Sequence, residues 1–294
     1  MFSNIRREIR ERLDRDKTAE KKNNFVKNGM VPWSEGYMEY RWDYIDRALK
    51  NPSILAKAAR GEVSDEFGIG LDERCVEYAW CLGNLTKIDG KVLDAGSALN
   101  YRQIINAANS AERKLTIAGL AVEKNCYYTE SVSYQLCDLR NLPFRDNWFD
   151  VSLSISTLEH ISMDNAIYGH GDSDNSSAAA SPVRDGYIAA LREISRVTTP
   201  DGTILISVPC GRFENHGFFQ QFDRTMLDDI VEILESRGEL KVQYFKYTEE
   251  GWKSVDWERC ANSVSHNPHT GKGKGNDGAA HCRAVACFKS KGYT

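Results

Sequence analysis

From residue 91 onward the chain alternates short apolar runs with helical segments, and this alternation limits the fold more than any other feature. Strands are predicted at 91–95, 114–120, 131–137, 149–156, 202–209, 241–247 and 282–289, with helices at 99–110, 185–197 and 223–237. The early strands are continuous apolar runs, as needed when helices cover both faces of a sheet. Strands alternating with helices predict an α/β, doubly wound, mainly parallel sheet of seven strands. The last two strands have no long helix between them, which predicts an antiparallel strand at the edge.

Ahead of this pattern lie residues 1–87, read as a helical extension or lid; residues 88–294 form the main domain. The extension begins with a charged helix over 3–24, solvated or facing a partner, whose mixed signs argue against a nucleic-acid arm. Next comes an aromatic cluster, Trp33, Tyr37, Tyr40, Trp42 and Tyr44. Such a cluster packs an extension onto a domain or closes over a site, where aromatic faces suit cations and sugar rings. An amphipathic helical stretch at 72–85 leads into the first strand. Two polar insertions, 169–181 and 262–280, interrupt the domain and read as surface loops; GKGKG in the second lacks the strand-to-helix context of a phosphate loop.

Bulk properties narrow the function. A net charge of −4 provides no footprint for sequence-independent nucleic-acid binding. No apolar run is long enough for a membrane span, and the charged start is unlike a secretion signal, so a cytoplasmic protein is expected. Eight scattered cysteines without a C-x-x-C pair read as reduced thiols. Neither they nor the histidines show metal-ligand spacing, so no metal site is expected.

In an open parallel sheet, ligands bind beyond the carboxyl ends of the strands where strand order reverses. The first tip reads Asp94-Ala95-Gly96-Ser97, the third Cys137-Asp138-Leu139, and the fourth Ser156-Thr157-Leu158-Glu159-His160; the turn sequence Thr199-Pro200-Asp201-Gly202 precedes the fifth strand. Taken singly, each carboxylate reads as a turn or cap residue. Their joint placement at adjacent strand ends favours a site.

These stretches resemble class I S-adenosylmethionine-dependent methyltransferases. VLDAGSALN is similar to the motif D-x-G-x-G-x-G at its aspartate and first glycine; CDLRNLPFRDNWFDV, SISTLEHI and TPDGTILISVP are similar to the motifs of strands three, four and five. The resemblance covers about residues 88–210. VPCGRFENHGFFQQFD and HCRAVACFKS resemble, more loosely, a bacterial subgroup associated with glycan and polysaccharide gene clusters.

The resemblance implies S-adenosylmethionine as cofactor. Asp94 then organises the loop and the ammonium end, Gly96 and Ser97 approach the methionine moiety, and Ser156 lies near it. Asp138 accepts from the adenine amine beside an apolar edge from Leu139. The second and third glycines are replaced by Ala98 and Asn100, and asparagine tolerates a left-handed conformation. At the second strand's tip, where the family places a ribose-binding acid, stands Gly119; Glu123 either reaches back to the ribose or is a first-turn helix acid.

An alcohol acceptor, such as a sugar or glycan, needs its proton removed. His216 and His160, close to the strand tips, are favoured as base over His266, His269 and His281, with His216 ahead of His160. Two other readings remain open. A nicotinamide dehydrogenase fits the first strand but requires G-x-G-x-x-G and a second-strand acid, both absent. A degenerate methyltransferase fold acting as a binding or scaffold protein is motivated by Gly119.

Overall fold

The computed structural model describes residues 2–86, 88–108, 112–166, 183–271 and 278–293. The insertion expected at 169–181 and part of that at 262–280 lie outside the described residues. In chain order the elements are α1 (Phe2–Lys27), α2 (Tyr37–Leu49), α3 (Pro52–Ala59), α4 (Arg74–Leu85), β1 (Gly90–Ala95), α5 (Arg102–Ala108), β2 (Arg113–Gly119), β3 (Val132–Leu136) and β4 (Phe149–Ile155). They continue with α6 (Arg184–Val197), β5 (Thr198–Pro209), β6 (Glu214–Asn215), β7 (Gln220–Gln221), α7 (Arg224–Glu235), β8 (Gly238–Thr248), β9 (Gly251–Val255), α8 (Trp257–Cys260) and β10 (Ala284–Gly292).

The main sheet has eight strands in the order β3-β2-β1-β4-β5-β10-β8-β9. Strands β3, β2, β1, β4 and β5 pair in parallel, whereas β10 runs antiparallel between β5 and β8. Neighbours diverge on either side of β1, which makes the β1–β4 boundary the switch point. The doubly wound, mainly parallel sheet expected from the sequence is therefore present. Two details are corrected. The last strand, β10, is interior, and the antiparallel edge is β9, an eighth strand formed by a tight hairpin with β8. The turn expected at 199–202 is extended and belongs to β5. There Phe149 faces Thr198 but Val151 faces Thr203, so the turn residues are taken up as a bulge.

Side chains alternate between the two faces along each strand. Val92, Leu205, Val285 and Cys287 join one apolar cluster with Trp80, Leu82 and Leu85 of α4 and Ile104 and Ile105 of α5. Leu93, Ile204, Ile206, Ala286 and Phe288 join the other, beneath Leu191 and Ile194 of α6 and Met226, Leu227 and Ile230 of α7. Helix α4 of the extension thus covers the same sheet face as α5. Aromatic contacts fix the rest of the extension: Phe25 meets Tyr37 and Tyr40, and Trp42 lies between Tyr78 and Tyr101, with ring centroids 6.5 and 4.7 Å away. The Trp33 indole donates to the Ala280 carbonyl at 2.6 Å, tying the extension to the segment entering β10. No helix among the described residues is long and apolar enough to cross a membrane. All eight cysteines are outside any disulfide.

Candidate active site

The β1 tip opens into a loop built around two residues. Asp94 is fully buried, and its carboxylate accepts from the Ala98 and Leu99 amides at 3.2 and 2.7 Å. Burial pushes its carboxyl up to about 7, against the pull of those two amides. Gly96 has φ +124°, and a Cβ there would lie 2.1 Å from Thr157 Oγ1. Only glycine lets the loop pass so close to the residues following β4. Ser97 is also left-handed, at φ +62°.

Asn100 ties this loop to the next strand tip. Its side-chain amide donates to Glu123 Oε2 at 2.6 Å and to the Asn125 carbonyl at 3.1 Å, while its oxygen accepts from the Tyr134 hydroxyl. Glu123 therefore turns back toward the β1 loop. At the β2 tip, a Cβ on Gly119 would meet nothing within 4 Å, so open space lies there. At the β3 tip, Leu139 is buried and Asp138 is paired with Arg140, whose guanidinium reaches its carboxylate at 2.6 Å. Burial raises the Asp138 carboxyl, but Arg140 outweighs it and holds it below the usual range.

Beyond β4 and β5 the site is polar and buried. Ser156, at φ +42°, donates from its hydroxyl to Glu77 Oε1 at 2.6 Å; Ser207 of β5 donates to the same oxygen at 2.7 Å. The other Glu77 oxygen binds Arg74 at 3.0 Å, and Arg74 also reaches the Ile155 carbonyl. The Tyr78 hydroxyl completes the contribution of α4 by donating to the Ala98 carbonyl at 2.9 Å. Glu159 is buried, its Oε2 having no hydrogen-bond partner among the described residues, and burial pushes its carboxyl up to about 8.

Three imidazoles of this region differ in setting. His160 Nδ1 donates to the Phe218 carbonyl at 2.7 Å, which fixes the tautomer, and burial pushes its pKa down to about 4. His216 is buried in a parallel stack on Phe219, with centroids 4.3 Å apart, and its Nε2 faces Glu214 at 3.1 Å. His281, ranked behind them from the sequence, pairs through Nδ1 with Glu73 Oε1 at 2.9 Å. Burial alone would raise Glu73, but His281 outweighs it and holds that carboxyl down at about 2; Glu73 in turn raises His281 despite burial.

The first-tip residues Asp94, Gly96, Ser97 and Asn100 thus gather with Glu123 and Ser156 around the switch point, and Asp138 and Leu139 flank them. Glu73, Arg74, Glu77 and Tyr78 were not anticipated from sequence. The sequence showed only that an amphipathic stretch at 72–85, just before β1, carries them.

Residues 97–168 match the family described as Methyltransferase domain. No curated protein matches the sequence. Similar solved structures include 1,6-didemethyltoxoflavin-N1-methyltransferase from Burkholderia thailandensis, 19% identical over 74% of this chain and 77% of that one, with a TM-score of 0.41. The YcgJ protein from Bacillus subtilis is 13% identical over 74% of this chain and 98% of that one, with a TM-score of 0.42. A SAM-dependent methyltransferase from Thermotoga maritima is 14% identical over 85% and 99%, with a TM-score of 0.41.

Proposed function

We propose that this chain is an S-adenosylmethionine-dependent methyltransferase that methylates a hydroxyl of a sugar, glycan or other small molecule in the cytoplasm. The observation that carries the reading is the buried Asp94 carboxylate holding two successive amides of a loop that passes over Thr157 at the switch point. A small-bodied loop so held suits close approach of a cofactor's backbone-recognised end.

The residues fit the cofactor as follows. Asp94, Gly96, Ser97 and the Ser156 backbone border the methionine end. Glu123, held toward the β1 loop by Asn100, takes the ribose hydroxyls in place of a strand-tip acid, with Gly119 leaving open space at the β2 tip. Asp138, both of whose oxygens accept from Arg140, shares one of them with the adenine amine, with Leu139 as apolar edge. When bound, S-adenosylmethionine supplies a methyl group already activated on a sulfonium, so alignment of the acceptor does much of the work.

On the acceptor side, Trp33 is 43% exposed and bonded to Ala280 beside His281, which offers an aromatic face to a sugar ring. The acceptor proton passes to an imidazole. His160, with Nδ1–H committed to Phe218, presents Nε2 in the accepting tautomer and is the first choice. His216, stacked and buried, frames the loop that carries it.

Calorimetry with S-adenosylmethionine and S-adenosylhomocysteine tests the cofactor roles. Both should bind, with Asp138→Ala and Glu123→Gln each weaker by roughly tenfold, the scale of one lost charge-assisted hydrogen bond. Unchanged binding by Asp138→Ala would sink the adenine assignment. A methyl-transfer screen over nucleotide sugars and glycan fragments then tests the acceptor class; transfer confined to amines or carboxylic acids would overturn the hydroxyl reading.

A further inference from the structure

The chain order of the sheet brings an adjacent pair of residues to a third that lies far away in sequence. Because β10 runs antiparallel to β5, with Val285 opposite Pro209, the residues just before β10 arrive at the carboxyl end of β5. Those residues are His281 and Cys282. There they meet Glu73, the residue preceding α4. Glu73 Oε1, His281 Nδ1 and Cys282 Sγ all lie within 4.8 Å of one another. His281 Nδ1 is 2.9 Å from the carboxylate oxygen and 3.2 Å from the sulfur.

We infer that Glu73, His281 and Cys282 form a binding site for a divalent, thiolate-accepting cation, of which zinc is the type. A tetrahedral zinc ion bound at ordinary lengths sets such ligand atoms roughly 3.3–3.7 Å apart, so small shifts suffice to seat it. One oxygen, one imidazole nitrogen and one sulfur favour zinc over magnesium or calcium. Three protein ligands leave the fourth position open, the pattern of a site that receives water or substrate. The frame is already held: the Cys282 amide donates to Glu73 Oε2 at 3.1 Å, so the carboxylate is oriented by the chain that carries the other two ligands.

Charge points the same way. Arg74 is hydrogen-bonded to Glu77, which leaves Glu73 to His281, and Glu159 is buried nearby with Oε2 unbonded among the described residues. Glu73 is the carboxylate that such an ion would meet, paired with His281 rather than with Arg74. On binding, the ion replaces the His281 Nδ1 proton, which moves to Nε2 or leaves, and the thiol proton of Cys282, which leaves. The binding stands on this geometry alone. A part in turnover, polarising the acceptor hydroxyl at the open position, rests on the proposed methyl transfer.

Full-length protein stripped with a chelator should bind one equivalent of zinc by calorimetry. Cobalt should give a thiolate-to-metal charge-transfer band in the near ultraviolet. Cys282→Ser should abolish that band, and His281→Gln and Glu73→Gln should each weaken zinc binding by at least about tenfold. Circular dichroism and S-adenosylhomocysteine binding serve as fold controls for each variant. Absence of the cobalt band in wild type, or zinc binding undiminished in folded Cys282→Ser and His281→Gln, would overturn the site. Zinc binding with failed S-adenosylhomocysteine binding would uphold the site while removing the methyl-transfer reading.

Discussion

The Tyr78 hydroxyl, on the last helix before the sheet, donates to the Ala98 carbonyl of the β1 loop at 2.9 Å. Through this bond the helical extension shapes the candidate cofactor loop directly. Tyr78→Phe should cost about 1 kcal/mol of stability, the ordinary worth of one hydrogen bond. It should also weaken S-adenosylhomocysteine binding several-fold, because Ala98 is one of the two residues whose amides Asp94 holds. Urea unfolding and calorimetry on the same variant read both effects; unchanged affinity would separate the extension from the loop.

Gly96 is confined by Thr157. Gly96→Ala places a Cβ 2.1 Å from Thr157 Oγ1 at a φ that L-residues rarely adopt. The cost should be roughly 2–4 kcal/mol, from strain and overpacking together. Trimming the partner as well, in Gly96→Ala with Thr157→Ala, should recover only part of it, since the backbone strain remains. Full recovery in thermal unfolding would assign the whole cost to the contact.

Glu77 accepts from Ser156 and Ser207 and pairs with Arg74. Burial pushes its carboxyl up, against the neighbouring guanidinium. Glu77→Ala should nonetheless destabilise by about 2–4 kcal/mol, because it strands Arg74 and two buried hydroxyls rather than removing one charge. Chemical denaturation measures the loss, and a change below about 1 kcal/mol would show that water replaces the carboxylate.

Glu159 gives the molecule a defined response to pH. Its folded carboxyl titrates at about 8, above its ordinary value of 4.5, because burial disfavours the ion. A group raised in this way contributes its full stability below the unfolded value and loses it as pH rises through the folded one. Relative to wild type, Glu159→Gln should therefore gain roughly 2–4 kcal/mol between about pH 5 and about pH 9 in the cofactor-free protein. Parallel melting curves for the two proteins across that range would contradict the assignment.

Features governed by neighbours in sequence were legible beforehand. The strand tips carrying Asp94, Asp138 and Ser156, and the loop entered at Gly96, follow from local apolar runs and turn residues. What escaped depends on distant chain. Strand β9 is too short to show alternation and exists because β8 offers it an edge. The turn-forming run 199–202 is absorbed into β5 as a bulge, because β4 pairs with Thr198 and Thr203 on either side of it. His281 ranked low because nothing nearby hints at Glu73, 208 residues away. A charged residue on an amphipathic helix is indistinguishable in sequence from one facing solvent, so Glu73, Arg74 and Glu77 were hidden in the same way.

Strand β10 is hydrogen-bonded on both sides, to β5 and to β8, yet comes after every other strand in the sheet. During synthesis the parallel half of the sheet can assemble, but its open edge at β5 must wait for some eighty further residues to emerge from the ribosome. The segment that closes that edge also delivers His281 and Cys282. Closure of the core and assembly of the Glu73, His281 and Cys282 cluster are thus one event, reached only once the open edge at β5 is sealed.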